Sequence, residues 1–343
     1  MLPLFTLTSD AFISAVRRFG IDRFQAARIY RALLHQGCRN LETAGGIKLS
    51  ADTRRRLDAS VVRCTGNITR QAEEKALLKF ATRLKDNAVI ESVILPMHSH
   101  ETLCVSSQAG CRMGCVFCET GASGLIRSLD TSEIVEQVYA ARFLLKRPVR
   151  NLVFMGMGEP LDNLDAVLAA IRVLNDPRGF DIPLRRMTLS TCGLIPGIRE
   201  LNRPELKNLN LAVSLNAPTD ALRSQLMPVN RKYSLLDLKD ALKAHPTGRS
   251  GQIILEYVLL KDVNDTPEHA HGLIRFAQGL PANVNLIPFN PGPSSAYAAP
   301  GPHVIAAFRH ALVRAGIFVR QRASQGRGVG AGCGQLSTRH ASS

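Results

Sequence analysis

The chain has 343 residues, enough for about two domains and a sizeable core. With 45% hydrophobic and 21% charged residues it is ordinary globular material, which excludes wholesale disorder, a collagen-like chain and a disulfide mini-scaffold, and no apolar run approaches the roughly 18 residues of a membrane span. Its 43 basic against 28 acidic residues leave a net charge of +15, which points to a polyanionic partner; at 5% aromatic residues with no Trp, nucleic acid would be gripped through phosphates and shape rather than on a stacking platform.

The excess charge lies at both ends: residues 1–90 hold 16 Lys/Arg against 8 Asp/Glu, and residues 303–343 hold six Arg and no acid. The first basic residue is Arg17, so a secretory leader is not expected and the cytoplasm is the expected compartment. Residues 1–80 are expected to be mostly helical. Asp10 is placed to cap FISAVRRF, Asp22 to cap FQAARIYRALLHQ with Gly37 ending it, and residues 51–57 to form a third helix carrying Arg54, Arg55 and Arg56. From residue 88 the pattern changes. VIESVIL and ETLCVSS read as strands, and from ETLCVSS onward six strand-then-helix units follow, their strands being ETLCVSS, NLVFMG, MTLST, LNLAVSL, QIILEYVLL and ANVNLIP. Alternation at this spacing predicts parallel strands with crossover helices, and an open or partial (β/α) barrel fits because the distinctive residues recur at the strands' C-terminal ends. The expected organisation is a basic helical domain over 1–85, a partial (β/α)6-type barrel over 86–323, and a flexible Gly-rich loop and tail over 324–343.

Four of the eight cysteines fall between residues 104 and 118, and in a chain expected in the cytosol such clustering suggests metal or redox chemistry rather than staples. Cys111, Cys115 and Cys118 form C-x3-C-x2-C directly after a predicted strand. Three thiolates on one short loop suit three corners of a four-iron cluster and leave the fourth iron open to another ligand. Zinc is the alternative, although a structural zinc site wants four ligands and no His lies close in sequence.

That spacing is the signature of the radical SAM superfamily. The segments LCVSSQAGCRMGCVFCETG, VFMGMGEPLDN, LSTCGLIPGI, LAVSLNAP with LRSQLMPVNRKYS, EYVLLKDVND, NLIPFNP and CGQL together closely resemble the RlmN/Cfr family of RNA adenine methyltransferases over residues 10–337. The resemblance implies a [4Fe-4S] cluster on Cys111, Cys115 and Cys118 and two molecules of S-adenosylmethionine (SAM) per turnover, one reductively split to an organic radical because an adenine ring carbon is a poor nucleophile. It implies SAM contacts at Gly156, Gly158, Glu159, Ser190, Ser214, Leu215, Asn216 and Asn290, with Phe117 flanking the SAM adenine; the family usually has His where this chain has Asn216.

The same resemblance assigns Cys333 as the methyl carrier that becomes linked to the base. Cys104 is then the thiol that attacks the linked sulfur, forming a disulfide and releasing methylated RNA, and Glu91 is the proton acceptor. Cys38, Cys64 and Cys192 match no such role and are expected to be structural. Partners implied are ribosomal or transfer RNA with the adenine outside a helical stack, an electron donor for the cluster and a disulfide reductant, with no membrane and a monomeric enzyme. Carbon 2 is the expected target over carbon 8. Just before CGQL the family shows acidic residues where this chain has SQGRGVGAG, so Arg327 is a candidate phosphate contact. The alternatives are a family member with another RNA or a ribonucleoprotein as substrate, and a zinc-stabilised RNA-binding protein without activity.

Overall fold

The computed structural model describes residues 1–343 apart from 43, 64–65, 248–250, 293–294, 323–325, 327 and 338–343; Cys64 and Arg327 therefore lie outside the described residues. Strands β1 (Leu2–Pro3) and β2 (Val61–Val62) pair in parallel and bracket helices α1 (Ser9–Val16), α2 (Arg23–Leu34) and α3 (Ala51–Ser60). Asp22 caps α2 as expected, its Oδ1 accepting from the N–H groups of Phe24 and Gln25. α1 is capped by Thr8 instead of Asp10, which lies in the first turn where its charge meets the positive end of the helix.

The expectation of helix fails over residues 67–83. This stretch is a hairpin, β3 (Asn67–Glu74) and β4 (Leu77–Arg83), which pairs onward with β5 (Val89–Pro96). Its turn is Lys75-Ala76, both at positive φ (48° and 68°), the left-handed pair that matches strand twist in a two-residue hairpin. β5 runs antiparallel to β6 (Glu101–Cys104), and a side ribbon of β7 (Gln108–Gly110) and β8 (Leu125–Ser128) flanks the short helix α4 (Glu119–Ala122). α5 (Thr131–Tyr139) opens on an Asp130–Glu133 capping box and leads to β9 (Val149–Phe154). There follow α6 (Leu164–Asn175), β10 (Met187–Thr191), α7 (Ile195–Glu200), β11 (Asn210–Ser214), α8 (Asp220–Leu226), α9 (Leu235–Lys243), β12 (Ile253–Leu259), α10 (Pro267–Ala277), β13 (Ala282–Pro288), α11 (Pro302–Arg314) and β14 (Val319–Gln321).

Among the described residues these strands form one ten-stranded sheet in the order β14-β13-β12-β11-β10-β9-β6-β5-β4-β3. The seven strands from β14 to β6 are mutually parallel, and the last three are antiparallel. All six strands expected in the parallel set are present, and β14, whose three residues carry an exposed Arg and Gln, adds a seventh that hydrophobicity does not announce. On β12, Leu255, Tyr257 and Leu259 are fully buried towards the helical layer, while Ile254, Glu256 and Val258 face cavities on the other side of the sheet. Each such outward Leu or Tyr contributes roughly 1.5–3 kcal/mol by leaving water. No helix among the described residues is long and apolar enough to cross a membrane.

Candidate active site

The strand-end turns are laced to one another before any ligand is considered. Ser106 Oγ accepts from Met157 N–H (2.8 Å) and donates to the Glu91 carbonyl (2.7 Å), and Gln108 Oε1 accepts from Glu159 N–H (2.9 Å). This lacing explains the glycines. A Cβ on Gly156 would stand 2.7 Å from Ser106 Oγ, and one on Gly158 (φ +98°) would stand 2.5 Å from Gln108 Cβ. Both glycines are thus demanded by the approach of residues 105–108, whatever else the turn holds.

Cys111, Cys115 and Cys118 line one cavity of about 170 Å³ at the C-terminal ends of the parallel strands. The same wall contains Phe117, Gly156, Gly158, Glu159, Ser190, Ser214 and Asn216. Burial pushes the Cys111 thiol up to about 12 and raises Cys115 and Cys118 as well, the state a cation at the sulfurs would reverse. Three soft sulfur donors facing one cavity fit an iron–sulfur cluster, and the polar strand ends opposite them fit SAM. Glu159 is buried, its two oxygens accepting from Leu161 N–H (3.0 Å) and Cys192 N–H (2.8 Å), and burial raises its carboxyl pKa. Asn216 adopts φ +58°, a left-handed backbone that Asn tolerates better than most residues; its Oδ1 accepts from Val258 N–H at 2.9 Å. Leu215 is fully buried and does not line the cavity. Cys192, expected to be purely structural, stands in the wall beside the three cysteines.

A second cavity of about 420 Å³ runs along the inner face of the sheet and is lined by Cys104, Cys333, Asn290 and Gly332 together with Arg185, Arg186, Arg320 and Arg322. Asn290 thus faces this cavity and not the smaller one. Cys104 and Cys333 carry free thiols, and burial together with the nearby Cys333 sulfur pushes Cys104 up to about 12, opposed by Arg322. Cys333, Met155, Glu256, Ile287 and Arg322 line both cavities and form the partition between them.

The segment that carries Cys333, expected as a flexible loop, is pinned over residues 328–337. Gly328 N–H donates to Glu74, Lys79 Nζ to the Gly330 carbonyl, Glu119 N–H to the Gly334 carbonyl, and Thr120 Oγ1 to the Leu336 carbonyl. Glu91 belongs to this fastening. It is 3% exposed, its Oε1 pairs with Lys79 Nζ at 3.0 Å, and its Oε2 accepts from Ser337 N–H at 3.0 Å. Glu91 lines neither cavity.

Sequence reasoning missed Glu256, Arg322 and Arg223. Arg223 is 1% exposed, and its guanidinium donates to the carbonyls of Leu215, Cys192 and Ser214 and to Asn230 Oδ1, binding the ends of β10 and β11 together. A lone acid in the apolar run QIILEYVLL is a faint sequence signal for Glu256; Arg322 and Arg223 carry none.

Comparison with known proteins gives three findings. The profile of the Radical SAM superfamily matches residues 105–276. The chain is 40% identical over 338 residues to the "Dual-specificity RNA methyltransferase RlmN" of Syntrophotalea carbinolica, covering 98% of this chain and 89% of that protein, and 42% identical over 323 residues to the same-named protein of Geotalea uraniireducens, covering 93% and 92%. Its fold is similar to the crystal structure of a radical SAM methyltransferase from Sphaerobacter thermophilus, with a TM-score of 0.91, 35% identity and coverage of 98% of this chain and 100% of that one.

Proposed function

Since the chain belongs to the radical SAM superfamily and, within it, to the RlmN family of RNA methyltransferases, we propose that it methylates an adenine ring carbon in ribosomal or transfer RNA through a methyl group carried on Cys333. The observation that carries this proposal is the position of Cys333, which lines both the cavity of the three cluster cysteines and the cavity containing Cys104. Carbon 2 is proposed over carbon 8, as the family resemblance implies.

In this proposal Cys111, Cys115 and Cys118 hold the cluster, and Gly158, Glu159, Ser190, Ser214 and Asn216 hold SAM, two molecules being used per turnover; Leu215 and Asn290, which the resemblance also assigns to SAM, lie behind that wall and on the larger cavity. When bound, cluster and SAM supply the methyl group and the one-electron chemistry that a ring carbon requires. Cys333 holds the methyl group at the partition, where a base in the larger cavity meets it. Cys104, as its thiolate, attacks the Cys333 sulfur once that sulfur is joined to the base; the S–S bond forms as the S–C bond breaks, the bond pair goes to the base's methylene carbon, which takes a proton to become the methyl group, and an external dithiol, itself oxidised to a disulfide, returns the pair to two thiols. Glu91 takes the ring proton, for which the Ser337 contact on its Oε2 must open. The basic residues of 1–85 and of the C-terminal segment grip RNA phosphates, in a monomeric cytoplasmic enzyme.

The test is peptide mass spectrometry on cluster-loaded protein incubated with SAM, followed by nucleoside analysis of the RNA. A gain of one methylene on Cys333 and the appearance of 2-methyladenosine are expected, and Cys104→Ala should trap a covalent protein–RNA adduct. An unmodified Cys333 would overturn the proposal; 8-methyladenosine would overturn the choice of carbon. Iron and sulfide against one zinc per chain decides between this reading and a non-catalytic RNA-binding protein.

A further inference from the structure

β12 presents an anomaly that the reaction outlined above does not use. Its register sets Glu256 beside Ser214 on β11 and Asn285 on β13, on the face that lines the cavities. Glu256 is 5% exposed. Its Oε1 accepts from Asn285 Nδ2 at 2.8 Å, whereas its Oε2 is buried without any hydrogen-bond partner. A polar atom left unpaired in a low-dielectric wall is costly and calls for a ligand. Glu256 also stands in the partition with Cys333, so a base touching it lies beside the proposed methyl carrier.

We infer that Glu256 is the residue that identifies the target base, its carboxyl group offering an acceptor and a donor side by side to the 6-amino group and N1 of adenine. The inference rests on the proposed methylation of RNA adenine. Adenine presents a donor at its 6-amino group next to an acceptor at N1, and a neutral carboxyl presents the complementary pair, much as the amide of Asn or Gln does. Guanine and inosine present the reverse order, so in the orientation that adenine takes they leave both groups of Glu256 mismatched. Burial raises the Glu256 carboxyl pKa against the opposing charges of Arg322 and Arg320, a shift in the direction of the protonated form that this pairing uses. Oε1 retains a second lone pair beyond the one taken by Asn285, and Oε2 carries the donor. Engagement of N1 also brings the adjacent carbon 2, the proposed target, to the same side of the cavity as the partition.

The experiment uses the full-length, cluster-loaded enzyme and a stem-loop RNA with a single loop adenosine, taken from the site that the wild type methylates. Companion RNAs carry purine riboside, 1-deazaadenosine, 7-deazaadenosine or inosine at that position. Wild type should bind the adenosine and 7-deazaadenosine RNAs about tenfold more tightly than the other three. Glu256→Gln keeps an acceptor and a donor and should keep this preference. Glu256→Ala should lose it, binding adenosine RNA as weakly as purine-riboside RNA, with affinity for the latter serving as the folding control. Retention of the full preference by Glu256→Ala, or its loss in Glu256→Gln, would overturn the inference while leaving the methyltransferase proposal intact. A wild type that methylates no adenine in RNA would overturn both.

Discussion

Glu91 and Gly158 show how a single residue can be required for reasons its sequence neighbourhood does not reveal. Glu91→Gln would leave Lys79, whose side chain is 12% exposed, facing a neutral amide. Stability should fall by about 3 kcal/mol in a urea titration, since an uncompensated buried charge remains. RNA methylation should fall about a hundredfold or more if Glu91 accepts the proton; an unchanged methylation rate would remove Glu91 from the chemistry and leave it as a fastener of the tail. Gly158→Ala should melt far below the wild type or fail to fold, because its φ of +98° and the Gln108 side chain both exclude a Cβ. The cysteine triplet was legible because three identical, rare side chains at a fixed short spacing need no knowledge of the fold. Glu256 was not, because what singles it out is an unpaired oxygen, and pairing is settled by β11 and β13, which lie well apart from it in the chain.

At the level of elements, the six parallel strands were readable because short runs rich in Val, Ile and Leu contrast with the amphipathic helix that follows each. The β3–β4 hairpin was not. Residues 71–80, QAEEKALLKF, carry strong helix formers, and the turn at Lys75-Ala76 lacks the Asn-Gly or Asp-Gly signal of its type. Tertiary packing decides the outcome: β4 buries Leu77, Leu78 and Phe80 in pairing with β5. Arg127 on β8 helps to seat this region, since it bonds Asp86 between β4 and β5 and also Glu133 on α5. Its guanidinium holds the Asp86 carboxyl at about 2, below the usual 3.8. The folded-state pKa is the lower one, so the contribution is complete above about pH 4 and disappears as pH falls towards 2. Thermal melts stepped downward from about pH 5 should therefore show Arg127→Ala losing less stability with acid than the wild type. The difference should stay under about 1 kcal/mol because Asp86 is half exposed. Parallel pH profiles for the two proteins would dismiss the clamp.

For the molecule as a whole, the net charge of +15 makes any RNA affinity steeply salt-dependent. Arg55 and Arg56 on α3 have side chains 79% and 59% exposed; both pair weakly with Asp52, and Arg56 also lies over the Phe19 ring. Replacing both by Ala should reduce the slope of log K against log salt by about 0.7–0.9 for each phosphate that the pair neutralises. An unchanged slope would place the RNA grip elsewhere on the surface. The fastening of residues 328–337 has a consequence in time as well as in space. The tail and the residues that hold it are 215 to 254 positions apart in the chain. At 5–20 residues per second the ribosome takes roughly 10 to 50 s to travel that distance. From residue 118 onward the nascent polypeptide contains Cys104 and the cysteine triplet but not yet Cys333, the proposed methyl carrier. If Cys333 carries the methyl group as proposed, a message cut short before codon 333 yields a chain that lacks the carrier thiol, and the end of translation sets the moment at which methylation becomes possible.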